Sequence, residues 1–228
     1  AMRSPKERLA LALAEAWGRP QVATVPYSTK GRHSSAKAGS AGRGSGTRLS
    51  RYSWVMNFRD ASPADAPLIA AMHVESWRIA YAHIMDPAYL AGGIEAERLA
   101  TWTQRLEHPA PGQRIIIAER DGQPMGFTCI IGGADDRWGT LVDNLHALPA
   151  ARGTGLGTAL LARGAQWAIE GWPKTGLFLW CYSDNLAARG FYASRGGVEV
   201  EDWDKPGPDG RTLPEKRIYW ADPAILLR

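Results

Sequence analysis

The sequence predicts one α+β domain, built as a mixed sheet with helices on its faces, and three observations carry that expectation. The chain has 228 residues, of which 45% are hydrophobic, enough for one well-packed core and too few for two comfortable ones. From residue 53 onward the apolar pattern alternates between the period of two that strands need and the 3.6 that helices need. The resulting order is β, α, α, β, β, β, α, β, α, β, β, in which runs of neighbouring strands exclude a purely alternating, all-parallel sheet.

The leading segment stands apart. Residues 1–51 hold ten Lys or Arg and two acids, a net of +8, whereas the other 177 residues hold 17 bases and 21 acids, a net of −4. The basic character therefore belongs to an N-terminal extension over 1–52, and the domain over 53–228 is mildly acidic. Within the extension Ser4, Pro5 and Glu7 form a helix entry signal for about 4–18, with Leu9, Leu13 and Trp17 on one side. Residues 28–50 are rich in Ser, Gly, Lys and Arg and read as a flexible linker. Such an arm could touch nucleic acid or acidic lipid; a solvated extension is the plainer reading and is preferred.

In the domain, Ser53 to Arg59 suits a strand, and Ser62-Pro63-Ala64-Asp65 opens a helix running to about Tyr81. A second helix spans about Glu95 to Leu106 and stops at His108-Pro109. Strands at Arg114–Glu119 and Met125–Ile131 flank Asp121-Gly122, a hairpin signal. A strand over Gly139–Leu148 leads to a helix over Thr154–Glu170. A buried strand at Leu177–Cys181, a helix over Asn185–Ser194 and strands at Val198–Trp203 and Arg217–Trp220 complete the order. Cys129 and Cys181 lie in apolar runs without metal-ligand spacing, so no metal is expected and a reducing, cytoplasmic setting fits. The longest apolar runs fall far short of the roughly 20 residues that cross a bilayer, so no membrane association is expected.

The stretch Asn144 to Leu161 carries the chemistry. A strand ends at Pro149, and a turn containing Gly153, Gly155 and Gly157 opens a helix. Unpaired amides and the helix dipole make such a turn an anion site, with Arg152 adding charge. A dinucleotide fingerprint would need glycine where Thr158 stands, and a P-loop would need a Gly-Lys-Ser/Thr ending. Twenty-eight residues after Gly157 begins a second motif, with Asn185, Ala188, Phe191 and Tyr192 at offsets 0, 3, 6 and 7, followed by Gly196 and Gly197.

The two motifs together resemble the GNAT superfamily of N-acetyltransferases over about residues 54–220. The resemblance implies a central mixed, mostly antiparallel sheet with helices on both faces, and acetyl-CoA as co-substrate. It maps the pantetheine-binding strand onto Leu145, His146 and Ala147, and the pyrophosphate turn onto Arg152, Gly153, Thr154, Gly155, Leu156, Gly157 and Thr158. Asn185 matches the family asparagine that bonds the cofactor arm. Tyr192 matches the tyrosine that in many members protonates the departing thiolate; as a plain core aromatic it would pack beside Phe191.

The reaction itself needs four things: two reactants held together, a proton removed from an ammonium, an oxyanion stabilised and a proton given to sulfur. A backbone amide near Ala147 can serve the oxyanion. The glutamate that some members carry five residues before the asparagine is replaced here by Trp180. His146, with an ordinary pKa near 6.5 and a period-two neighbour in Asn144, is the first candidate base, the alternative being a histidine that only shapes the pocket. Trp77 and Tyr81 at i, i+4, with His83 just beyond and Asn144 on the strand, are the candidate acceptor-binding residues; His73 and Glu75 share the first helix.

The expected function is transfer of an acetyl group from acetyl-CoA to a primary amine of a small molecule. A protein- or RNA-modifying acetyltransferase steered by the basic arm, and a CoA-sensing module without catalysis, are the alternatives. A homodimer is compatible with the fold but underived.

Overall fold

The computed structural model describes residues 56–228. The expected extension and its helix over 4–18, and the first residues of the strand expected from Ser53, lie outside that range.

Seven strands form one sheet: β1 (Met56–Asp60), β2 (Gln113–Arg120), β3 (Gln123–Asp135), β4 (Gly139–Ala147), β5 (Leu177–Tyr182), β6 (Val198–Pro206) and β7 (Thr212–Trp220). Their order is β1-β2-β3-β4-β5-β7-β6. Every neighbouring pair is antiparallel except β4 and β5, so the sheet is mixed and mostly antiparallel as expected. Helices α1 (Ala66–Ala80), α2 (Pro87–Ala91), α3 (Ile94–Glu107), α4 (Leu156–Gly171) and α5 (Leu186–Ala193) complete the domain with short 3-10 turns. The five-residue α2 escapes a reading by periodicity because it is little more than one turn. Its entry is still encoded locally, since the Asp86 carboxylate accepts the Ala88 amide at 2.7 Å ahead of Pro87.

The sheet separates two cores. On one face Ile69, Met72 and Trp102 of α1 and α3 pack on Ile115, Ile117, Phe127 and Cys129. On the other, Leu161, Ala165 and Ala168 of α4 and Tyr192 of α5 pack on Val142, Leu177, Leu179, Ile218 and Trp220. The Asp121-Gly122 hairpin has the two positive φ angles that a two-residue turn demands, +53° and +74°.

Two local irregularities place the site. First, the register of β4 on β3 slips so that Asn144 pairs with Cys129 while Val142 pairs with Ile130. Asp143 is the extra residue of a β-bulge, and the bulge breaks the alternation expected along this strand. Leu141 therefore faces the α1–α3 side with Phe178, while Val142, Leu145 and Ala147 all face α4. Second, β4 and β5 pair only at Thr140–Leu177 and Leu141–Phe178. Beyond that point they diverge, and the edge of β4 from Val142 to Ala147 has no strand partner on the β5 side. The wedge between them is where the sheet opens.

Candidate active site

Two cavities meet in this wedge. The larger, about 1080 Å³, runs from the start of α4 past Leu145, His146 and Ala147 to α5. The smaller, about 360 Å³, lies toward α1, β6 and β7. Tyr81, Leu145, His146, Trp180 and Tyr192 line both, and so mark the passage between them.

At the head of the larger cavity Gly153 and Gly155 hold φ of +74° and +86°, in the left-handed region that costs a side-chain residue roughly 1–2 kcal/mol. A Cβ at either would meet no other atom, so it is backbone conformation, not space, that calls for glycine there. Gly157 differs, since a Cβ there would lie 3.2 Å from the Phe191 ring, and its absence lets α4 approach α5. The helix begins at Leu156, two residues later than the sequence pattern suggests, because left-handed Gly155 sits at the N-cap. The first helical bond closes at Ala159, which donates to Gly155. The Arg152 and Thr154 amides are taken by the Pro149 and Ala151 carbonyls, whereas the amides that open the helix itself have no partner inside it and can meet an anion. Arg152 lines this end of the cavity. So does Arg195, which the sequence reading passed over. Its Nε and Nη2 donate to Thr158 Oγ1 at 2.8 and 2.5 Å, and its guanidinium lies 3.8 Å from the Phe191 ring centre. This second cation at the helix start was legible only as one arginine in the run Ser194-Arg195-Gly196.

Farther along, Asn185 caps α5, its Oδ1 accepting the Ala188 amide at 3.2 Å. It lines the larger cavity while serving the fold at the same time. Tyr192, the second-to-last residue of α5, is buried among Cys181, Tyr81 and Trp220, and burial holds its hydroxyl well above the ordinary phenol range. It stays a neutral phenol at physiological pH.

His146 points to the α1 side, where its Nδ1 is 2.9 Å from Ser76 Oγ and its ring lies 4.6 Å from that of His73. Burial pushes its pKa down to about 4, opposed in part by Asp143. The ring is neutral at pH 7 and a much weaker proton acceptor than the unperturbed value of the sequence reading suggested. His73 is buried beneath it, with Nδ1 accepting the Trp102 indole N–H at 2.9 Å, which fixes the proton on Nε2.

The expected acceptor residues separate. Trp77, Tyr81 and Asn144 line the smaller cavity. His83 does not; it borders the larger one, exposed, with Nε2 3.4 Å from the Asp184 carbonyl. Asn144 donates to Asp143 Oδ2 at 2.5 Å, and the same oxygen accepts Arg105 at 2.6 Å. Glu75 lines neither cavity. Trp180, where some relatives of the motif carry glutamate, is half-buried between the Trp203 ring at 5.2 Å and the Arg217 guanidinium at 4.4 Å. The smaller cavity also holds Glu215 of β7, which the sequence reading left unassigned because Glu215-Lys216-Arg217 reads as a surface charge run. Among the described residues no cluster of His, Cys, Asp and Glu is arranged to hold a metal, and no helix is long and apolar enough to cross a membrane.

The arrangement is therefore an anion-binding turn, a groove along an unpaired strand edge, and a separate chamber reached past a buried phenol. Comparisons with known proteins give the family. The model of the GNAT acetyltransferase family matches residues 76–196. A probable N-acetyltransferase of Mycobacterium tuberculosis is 35% identical over 170 residues, 72% of this chain and 86% of its own. An uncharacterized N-acetyltransferase of Archaeoglobus fulgidus is 32% identical over 148 residues, 61% of this chain and 91% of its own. Among solved structures, a GCN5-related N-acetyltransferase from Rhodopseudomonas palustris superposes with a TM-score of 0.59 at 25% identity, covering 72% of this chain and 94% of that one. The PaiA N-acetyltransferase of Thermoplasma acidophilum, solved with coenzyme A, shares the fold with a TM-score of 0.55 at 19% identity, over 73% and 99% of the two chains. The chain is an acetyltransferase and belongs to the GNAT family.

Proposed function

We propose that the protein transfers an acetyl group from acetyl-CoA to the primary amine of a small molecule by direct attack of the amine on the thioester. The observation that carries this reading is the meeting of two cavities at Leu145, His146 and Tyr192, one headed by a glycine turn suited to an anion and the other smaller and rich in aromatic side chains. The larger cavity suits the acyl donor. Free amides at the start of α4, with Arg152 and Arg195, match a pyrophosphate, and the unpaired edge of β4 can bond an extended amide-bearing arm. The smaller cavity is sized for a compact acceptor rather than a folded protein surface.

In this scheme the wedge orients the two substrates, and an unpaired amide of β4 near Ala147 receives the developing oxyanion. Tyr192 lies where the two cavities join and gives its hydroxyl proton to the departing sulfur. Neutral His146, tied to Ser76, shapes the passage.

Thiol release with a panel of amines tests the reading. Turnover with at least one small amine, dependent on acetyl-CoA, is the expected result. Tight acetyl-CoA binding with no turnover of any amine would leave a sensor and sink the enzyme mechanism.

A further inference from the structure

Glu215 is a buried carboxylate that the fold leaves half-satisfied. Along β7, Leu213, Glu215 and Arg217 turn toward the α1–α3 side. Leu213 is absorbed by the cluster of Ile84, Met85 and Leu90, and Arg217 by the rings of Trp138, Phe178 and Trp180. Glu215, only 5% exposed, opens instead onto the smaller cavity. Its Oε1 is 3.5 Å from Lys205 Nζ, a long contact to a side chain that is itself 40% exposed, and its Oε2 has no hydrogen-bond partner. A buried, unpaired carboxylate oxygen is costly, and a donor arriving in the cavity would relieve that cost.

The cavity says what kind of donor. Its other acid, Asp143, is already held by Arg105 and Asn144. Its two cations are engaged, Arg105 with Asp143 and Lys205 at long range with Glu215, and much of the remaining wall is aromatic, with Trp77, Tyr81, Tyr182 and Trp203 beside Trp180; ring faces favour a cation as well as an apolar body. We propose that Glu215 binds the ammonium of the acceptor and takes its proton, and that the acceptor is a compact monoamine with an aromatic or branched apolar body. This rests on the N-acetyltransfer reading above. A polyamine fits poorly, because among the described residues lining the cavity no second acid is free to take its far cationic end.

The proton balance closes. The ammonium passes one proton to Glu215, and the nitrogen lone pair forms the C–N bond. The C–S bond breaks with its electron pair leaving on sulfur, which takes the Tyr192 hydroxyl proton. The second nitrogen proton restores the Tyr192 hydroxyl, and Glu215 returns its own to solvent, so the net release is one proton per acetyl transferred. Burial raises the carboxyl of Glu215, with Lys205 opposing and Asp143 adding to the rise, and a raised carboxylate is the better acceptor. The phenols of Tyr81 and Tyr182 face it and are themselves held protonated by burial. Glu215 and Tyr192 line the same cavity, and Tyr81 lines it too and borders the passage to the larger one.

The test compares wild type with Glu215→Gln on phenethylamine, isoamylamine and spermidine, reading thiol release from pH 5 to 9, acetyl-CoA affinity by calorimetry and the melting temperature. Wild type is expected to prefer both monoamines over spermidine. Glu215→Gln is expected to lose about 100-fold or more in kcat/KM, together with the acidic limb of the pH profile, while acetyl-CoA affinity holds and the melting temperature holds or rises. Activity within threefold and an unchanged pH profile in the variant overturn the proposal, as does a preference for spermidine. A drop in the variant's melting temperature or acetyl-CoA affinity makes Glu215 a structural ion-pair partner and overturns it too. Wild type inert toward every amine, despite binding acetyl-CoA, would overturn the parent reading, and this proposal with it.

Discussion

At the scale of single residues, the groups that move protons and the groups that hold charge obey different physics. Tyr192 is buried where the two cavities join, so its phenol stays protonated, as the proposed proton donor must be. Tyr192→Phe keeps the ring packed between Phe191 and Trp220 but removes the proton. Turnover by thiol release should fall by about 100-fold, within the usual range for a positioned acid, while acetyl-CoA affinity by calorimetry stays unchanged. Arg195 acts by charge. Arg195→Ala removes the donor pair on Thr158 and a cation at the helix start; one lost charge-assisted bond of roughly 2 kcal/mol corresponds to about 30-fold weaker acetyl-CoA binding, with kcat little changed at saturation. Of these two residues only Tyr192 was legible in the sequence, because its spacing from Asn185 is part of a motif. Arg195, and Glu215 in the role proposed above, take their meaning from neighbours brought from other elements, Thr158 for one and the wall of the smaller cavity for the other. No local pattern announces such partners, and in both cases the flanking residues look like ordinary surface.

At the scale of elements, the site depends on places where regular structure is interrupted. The turn before α4 needs left-handed backbone at Gly155; glycine spacing announces a turn there, but the pattern places the helix start at Thr154, two residues early. Gly155→Val puts a β-branched residue at φ +86°. The strain of at least ~1–2 kcal/mol is expected either to unfold the turn or to weaken acetyl-CoA binding about tenfold or more, checked by calorimetry beside circular dichroism. The bulge at Asp143 was not legible. A period-two reading of β4 places Leu141 with Leu145 and Ala147, whereas the inserted residue moves Leu141 to the opposite face. Nothing about Asp143-Asn144 marks an extra residue, because the slip is settled by pairing with β3 across the hairpin. The splay of β4 from β5 is likewise a property of two strands with a helix between them, invisible in either strand alone. Asn185 shows the reverse case, a residue with a local role that sequence reading gave only to ligand binding. Asn185→Ala should lower the urea midpoint by an amount equivalent to about 1 kcal/mol through loss of the α5 cap.

At the scale of the whole molecule, the fold hides ionisable groups from water on the α1 side of the sheet, and its stability must answer to pH. Two buried histidines, His73 and His146, have pKa values pushed down by burial, His146 to about 4. The unfolded chain takes up protons on both near pH 6.5, while the folded chain resists until the pH is far lower, so unfolding gains protons in this window. Stability tied to His146 is complete above pH 6.5, falls as the pH drops toward 4 and levels off below it. Glu215 runs the opposite way. Its carboxyl is raised in the fold, so the cost of burying its charge is present at neutral pH and is relieved on acidification. The carboxylate of Asp65, lowered mainly by its bonds to Arg59, joins the histidines in losing stability in acid, but only below the ordinary carboxylate range. The windows are separable. Between pH 6.5 and 4.5 the histidines dominate the loss, and His146→Gln should flatten the decline. The shift to about 4 caps the difference at about 3 kcal/mol, read as urea midpoints of wild type and variant across that range. Parallel curves for the two proteins would mean that the His146 ring takes up its proton as readily inside the domain as in the unfolded chain. It would then be charged near pH 6 beside His73, and the neutral passage between the two cavities would have to be given up.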